Sequence, residues 1–208
     1  AVVGVPVVMI DINDAALQRG LATVGGSLDR LVKKDKLSAA ARQAALDLIS
    51  VGTDYALLAD CQLVIEAATE NEALKFDILK KLDALLPAET LLASNTSSIS
   101  ITRLAAVTQR ADRFIGMHFF NPVPMMALVE VIRGLQTSDA THKAVVTLAE
   151  RLGKTPVSVK NAPGFVVNRI LVPMINEALF VLGEGLASAE DIDAGMKLGC
   201  NQPIGPLA

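Results

Sequence analysis

Histidine is almost absent from the 208 residues. Only His118 and His142 occur, so chemistry that needs an imidazole base has two side chains to choose from. Cysteine is equally scarce. Cys61 and Cys200 stand far apart in apolar surroundings, which reads as two buried free thiols in a reducing compartment rather than as a disulfide. No long basic block occurs and the formal net charge is -3, which argues against nucleic acid as the main partner. No run fits a membrane span either. The most apolar stretch, residues 165–182, contains Asn168, Arg169, Pro173, Asn176 and Glu177, a set that excludes a lipid-exposed helix. No signal peptide, internal repeat or low-complexity segment is visible. The chain opens on Ala1 and stops at Ala208 without a closing element, so a fragment of a longer protein is expected.

What is present is apolar residue, at 51%, enough for a sizeable core in a chain of this length. The pattern over the first 160 residues alternates. Short runs rich in Val, Ile and Leu end at Ile10, Ala67, Ser94, Phe120, Ile132 and Val159. Each reads as a strand of four to eight residues. Between most of them lie segments with helical spacing: residues 14–34, a helix beginning after Ser38, 71–86, 100–107 and 138–152. Strands alternating with helices define an α/β unit with a mostly parallel, doubly wound sheet. The pattern changes at Asn161-Ala162-Pro163-Gly164, which is turn chemistry. After it only helices are expected, at 165–183 and 188–198. Residues 1–160 are therefore assigned to one domain and 161–208 to the start of a helical one.

Several residues stand where chemistry is possible. Asp11 ends the first strand. An acid there either stabilises the following helix N-terminus or accepts the ribose hydroxyls of a dinucleotide. The Gly-rich phosphate loop that would decide between these does not occur in the 208 residues, and Gly25-Gly26 lies inside a helical pattern. Glu70-Asn71 and Asn95-Thr96-Ser97-Ser98 each follow a strand. They are helix caps, or they are ligand contacts at the carboxyl ends of strands. Lys33, Lys34 and Lys36 read as a solvated turn or as a phosphate contact. His142 falls on a helix surface. His118 ends an apolar run, and Glu130 lies inside the next one, beyond the Pro-punctuated connection 121–127. A buried carboxylate is costly unless paired, so His118 and Glu130 are expected to face each other as a base and its orienting partner.

Taken together, these motifs resemble the L-3-hydroxyacyl-CoA dehydrogenase family, in its short-chain bacterial branch. The resemblance is carried by Val64-Ile65-Glu66-Ala67 with Glu70-Asn71, Ser94 to Ser98, Gly116 to Pro124, Leu128 to Val131 and Pro163 to Arg169. It implies a Rossmann-type NAD-binding domain whose first strand and glycine loop lie outside the chain. A helical domain that forms a homodimer follows it, with the acyl-CoA substrate in the cleft between the two. In this resemblance His118 is the general base, Glu130 orients it, and Ser97 and Asn168 hydrogen-bond the reacting substrate. Asp11, Glu70, Lys75, Ser97 and Asn121 match NAD contacts, and Ser27 and Lys34 match CoA contacts. No metal, nucleic acid or membrane partner is implied, and the location expected is cytoplasmic. The alternatives within this resemblance are a segment of a multifunctional fatty-acid oxidation protein, a crystallin-like structural relative and a non-catalytic NAD sensor. The 208-residue piece itself is expected to be weakly stable and poorly active.

No Arg follows Asp11 to receive a 2′-phosphate, so rapid oxidation of NADH and little of NADPH is expected. Steady-state kinetics with both nucleotides check this, and equal efficiency would contradict the role given to Asp11.

Overall fold

A computed structural model describes all residues from Ala1 to Ala208, which divide into two compact units, Ala1–Asn161 and Ala162–Ala208. In the first unit, β1 (Val7–Ile10) leads through α1 (Asp14–Lys33) and α2 (Ala39–Asp47) to β2 (Ile49–Gly52). There follow β3 (Leu63–Glu66), α3 (Glu72–Leu85), β4 (Leu91–Ser94), α4 (Ile101–Ala105), β5 (Phe114–Phe119), β6 (Leu128–Arg133), α5 (Asp139–Arg151) and β7 (Thr155–Lys160). The helix starts follow from side-chain oxygens that take up the first orphaned amides. Asn13, Ser38, Asn71, Ser100 and Ser138 each accept from a backbone N–H two or three residues into the helix that follows.

The strands form two sheets. β1 and β2 pair in parallel, and β3-β4-β5-β6-β7 make a five-stranded sheet. The second is parallel throughout except at β5 and β6, which run antiparallel. The architecture is thus a Rossmann-like α/β unit with a mostly parallel sheet. β2 was not expected. Its four residues alternate Ile and Val with Ser and Gly and are bonded on one side only, too short a pattern to separate from the helix before it.

The two faces of the large sheet divide the labour. Ile115 and Met117 on β5, Val129 and Val131 on β6 and Ala93 on β4 pack against Val145 and Ala149 of α5. By the two-residue alternation of strands, Gly116, His118, Glu130 and Ile132 point to the other face. There the backbone of Gly116 approaches α4, where an added Cβ would lie 2.8 Å from Ile101. An apolar core on one face thereby holds rigid the strands that carry polar groups on the other.

One buried cation was not foreseen. The Arg110 guanidinium binds Asp83 at 2.7 Å and donates to the carbonyls of Asp83, Leu86, Pro87 and Thr90. It satisfies the carbonyls left over at the end of α3, where Pro87 stops the helix.

The second unit consists of α6 (Val167–Gly183) and α7 (Ala189–Gly199). The helix at 165–183 was expected to start two residues earlier. Gly164 and Phe165 both have positive φ, at 74° and 52°, and the turn they form delays the helix to Val167. Phe165 is buried and Val166 is exposed. Neither cysteine is buried. Cys61 is half-buried and Cys200 exposed, and both are free thiols. Burial and the neighbouring Asp60 push the Cys61 thiol up from its ordinary range. No helix is long and apolar enough to cross a membrane.

Candidate active site

The antiparallel register between β5 and β6 sets His118 directly opposite Glu130. The side chains meet with 2.8 Å between His118 Nδ1 and Glu130 Oε2. His118 is 5% exposed and Glu130 is fully buried. A carboxylate at this depth persists as a charge only with hydrogen bonds around it. An ionised carboxylate accepts only, so Nδ1 carries the proton. In the neutral ring Nε2 is then the basic nitrogen. The Phe120 ring lies 4.5 Å from the imidazole, tilted by 48°. The pairing inferred from the two apolar runs is therefore present in the fold.

The other histidine is placed differently. His142 on α5 lies 2.8 Å from the Ser158 hydroxyl on β7. Burial, with a smaller push from Arg133, holds it below the usual imidazole range. It has a hydroxyl partner and not the carboxylate that would orient a base.

The polar residues at the carboxyl ends of β3, β4 and β5 form one connected set. Glu70 accepts from the Ser97 amide at 2.6 Å and from the Thr96 hydroxyl at 2.7 Å. Asn95 Oδ1 accepts from the Phe119 amide, next in chain to His118. Asn121 follows on the exposed connection after β5. That connection is held from below by Lys154, whose ammonium donates to the Val123 and Met126 carbonyls at 2.5 and 2.7 Å. Asp11 is exposed just past the end of β1 and accepts from the Ile12 amide at 2.7 Å. Ser27 and Lys34 belong to α1 and its C-cap, and Ser27 accepts from Arg30 at 3.0 Å. Asn168 is the second residue of α6, in the second unit.

Lys75 differs from the other matched cofactor contacts. It is 1% exposed, and its ammonium binds Glu66 at 2.6 Å and Ser94 at 3.4 Å. Glu66 also accepts from the Ser94 hydroxyl and the Ala68 amide, each at 2.8 Å. The charge of Lys75 is thus spent inside the fold, fastening the ends of β3 and β4 together. A pattern search does not find such a pair, because Glu66 sits at the end of an apolar strand and Lys75 in an ordinary amphipathic helix.

A strand-borne imidazole–carboxylate pair beside a Rossmann-like edge of hydroxyl, amide and carboxylate groups defines a nucleotide-dependent dehydrogenase class. The comparisons narrow this. Residues 1–162 match the model of the 3-hydroxyacyl-CoA dehydrogenase NAD binding domain, and residues 164–208 match that of the 3-hydroxyacyl-CoA dehydrogenase C-terminal domain. A 3-hydroxybutyryl-CoA dehydrogenase of Bradyrhizobium diazoefficiens is 50% identical over 207 residues, covering 100% of this chain and 71% of that protein. The mitochondrial hydroxyacyl-coenzyme A dehydrogenase of Rattus norvegicus is 44% identical over 213 residues, covering 100% and 68%. The crystal structure of (S)-3-hydroxybutyryl-CoA dehydrogenase from Ralstonia eutropha superposes with a TM-score of 0.97 at 67% identity, covering 99% of this chain and 72% of that one. The chain belongs to the 3-hydroxyacyl-CoA dehydrogenase family, and its first unit is an NAD-binding domain.

The buried ion pair gives a direct test. Lys75→Met leaves the Glu66 carboxylate uncompensated and is expected to cost about 3 kcal/mol of stability. Glu66→Gln together with Lys75→Met keeps an acceptor for the Ala68 amide and is expected to cost less than Lys75→Met alone. Urea denaturation of Lys75→Met, Glu66→Gln and the double variant checks the coupling, and a double variant as costly as the sum of the two singles would contradict it.

Proposed function

We propose that the chain carries the interconversion of (S)-3-hydroxyacyl-CoA and 3-oxoacyl-CoA with NAD(H), with short-chain substrates of the 3-hydroxybutyryl-CoA and acetoacetyl-CoA type. The observation that carries the reading is the buried His118–Glu130 pair on adjacent strands. The short-chain assignment is supported by relatives named 3-hydroxybutyryl-CoA dehydrogenase at 50 to 52% identity, against 43 to 44% for the mitochondrial hydroxyacyl enzymes.

The residues present suit the cofactor by their chemistry. Asp11 is an exposed carboxylate past a strand end, fit to accept the adenosine ribose hydroxyls. Glu70, Ser97 and Asn121 offer carboxylate, hydroxyl and amide groups at the ends of β3, β4 and β5, and Lys75 supports this edge from within through Glu66 and Ser94. Bound NAD supplies the hydride acceptor.

In the oxidative direction His118 Nε2 takes the proton of the substrate 3-hydroxyl as its carbon 3 gives up a hydride. The carbon–oxygen bond becomes a carbonyl, and the proton stays on the imidazole. Glu130 holds the ring through Nδ1 and offsets the charge that develops on it. Ser97 and Asn168 donate hydrogen bonds to the substrate oxygens. In the reverse direction His118 returns the proton to the oxygen of the 3-keto group as it is reduced. Ser27 and Lys34 hold the CoA moiety.

In this proposal residues 1–160 serve the cofactor, and residues 161–208 begin the substrate and dimerisation domain. A homodimer through the helical unit suits α6, where Ile170, Val172 and Phe180 are 65%, 60% and 57% exposed. A cytoplasmic site of action suits the two free thiols.

His118→Gln in the full-length protein tests the assignment. With acetoacetyl-CoA and NADH, turnover is expected to fall roughly 100- to 10,000-fold, the range of a lost general acid–base group, while NADH affinity stays unchanged. NADH binding that fell as far as turnover would show that His118 is no dedicated base. Turnover of a long 3-ketoacyl-CoA but not of acetoacetyl-CoA would overturn the chain length alone, and no turnover of either by the unsubstituted enzyme would bring forward a sensor or structural role.

A further inference from the structure

We infer that Asn95 is a positioning residue, whose side-chain carbonyl sets the spacing between the Ser97 loop and His118. The kinetic part of this inference rests on the dehydrogenase reading, and the structural part does not.

The ladder between β4 and β5 ends at Ser94, opposite Gly116. The backbone amide of Asn95 still donates to the Glu66 carbonyl at 2.8 Å. Immediately afterwards the chain turns out of the sheet. Thr96 makes that turn, its hydroxyl accepting from the amides of Ser98 and Ile99 at 3.3 and 2.9 Å and donating to Glu70. β5, however, continues to Phe119. Beyond the end of the backbone ladder, Asn95 Oδ1 takes the place of a strand carbonyl and accepts from the Phe119 amide at 2.9 Å.

The consequence lies in the positions joined. Phe119 follows His118 directly, and Asn95 stands two residues before Ser97. Glu130 holds His118 from the β6 side. Asn95 holds the same stretch of backbone from the β4 side and fastens it to the loop that carries Ser97. With the Asn95 acceptor gone, the end of β5 keeps its β6 pairing but loses its tie to that loop. The imidazole and the Ser97 hydroxyl must act on one substrate oxygen, and errors of about 1 Å in such placements cost roughly 100-fold in rate. The acceptor oxygen is what matters, so Asp at this position should serve and Leu of similar size should not.

The test compares Asn95→Leu, Asn95→Ser and Asn95→Asp with the unsubstituted full-length protein. Two readouts are taken: hydrogen exchange of the Phe119 amide, and kcat, KM and NADH affinity with acetoacetyl-CoA. Asn95→Leu is expected to lose protection at Phe119 and to lower kcat about 10- to 100-fold, with NADH affinity little changed. Asn95→Ser retracts the acceptor in a smaller side chain, is expected to lose protection and kcat in the same way, and carries the test where the Leu variant folds poorly. Asn95→Asp should restore protection and most of kcat. Protection at Phe119 that survives in the Leu and Ser variants would overturn the inference, as would lost protection with kcat intact. If the unsubstituted enzyme turns over neither acetoacetyl-CoA nor a long 3-ketoacyl-CoA, the dehydrogenase reading fails. The tie between Asn95 and Phe119 is then decided by Phe119 exchange alone: loss in Leu and Ser with recovery in Asp upholds it, and no loss refutes it.

Discussion

The hydrogen bond between His118 and Glu130 depends on burial at both ends, and the rest of the first unit arranges that burial. A carboxylate with no exposed surface is stable as a charge only against a donor fixed in place. Antiparallel pairing of β5 with β6 provides the fixing, because it sets the two residues opposite each other on one face of the sheet. The opposite face of the same strands packs on α5 through Ile115, Met117, Val129 and Val131. A slip of one residue in register would turn the dyad into the apolar core and the apolar side chains toward the polar edge. Core packing and the placement of the dyad are therefore a single constraint.

The neighbouring strand ends are fastened by polar groups, some fully buried (Glu66, Lys75, Ser94) and some at the surface (Glu70) or half-buried (Asn95). Glu66, Lys75 and Ser94 tie β3 to β4. Glu70 ties the loop after β3 to the loop after β4, and Asn95 ties that loop to β5. Each link spans elements distant in sequence, so the strand ends at the edge where ligands bind in open α/β sheets are tied together by the fold itself. This suits a reaction in which the protein mainly orients groups and moves one proton, with the redox chemistry left to the cofactor.

Much of this was legible in the chain itself. The β5–β6 pairing followed from two apolar runs around a Pro-rich connection, and the cost of an unpaired Glu130 pointed to His118. The starts of the five helices of the first unit were readable to within a residue, because capping residues act locally. The features that escaped are those without a local signature. β2 has four residues and a partner on one side only. Lys75 and Arg110 look like surface cations in sequence and are buried because their partners come from other elements. Asn95 was visible only as one of several polar residues after a strand, since its partner Phe119 lies 24 positions away. The exposure of Cys200 likewise depends on where a helix end falls, which hydrophobicity alone does not fix.

The account stands on the direction of one proton. Nitrogen-15 NMR of the His118 ring in the full-length protein reads it directly. The neutral ring should carry its proton on Nδ1, shared with Glu130, with Nε2 unprotonated, and Glu130→Gln should disturb that assignment. A neutral ring protonated on Nε2, or a spectrum unmoved by Glu130→Gln, would contradict the role of Glu130 and remove His118 as an oriented base.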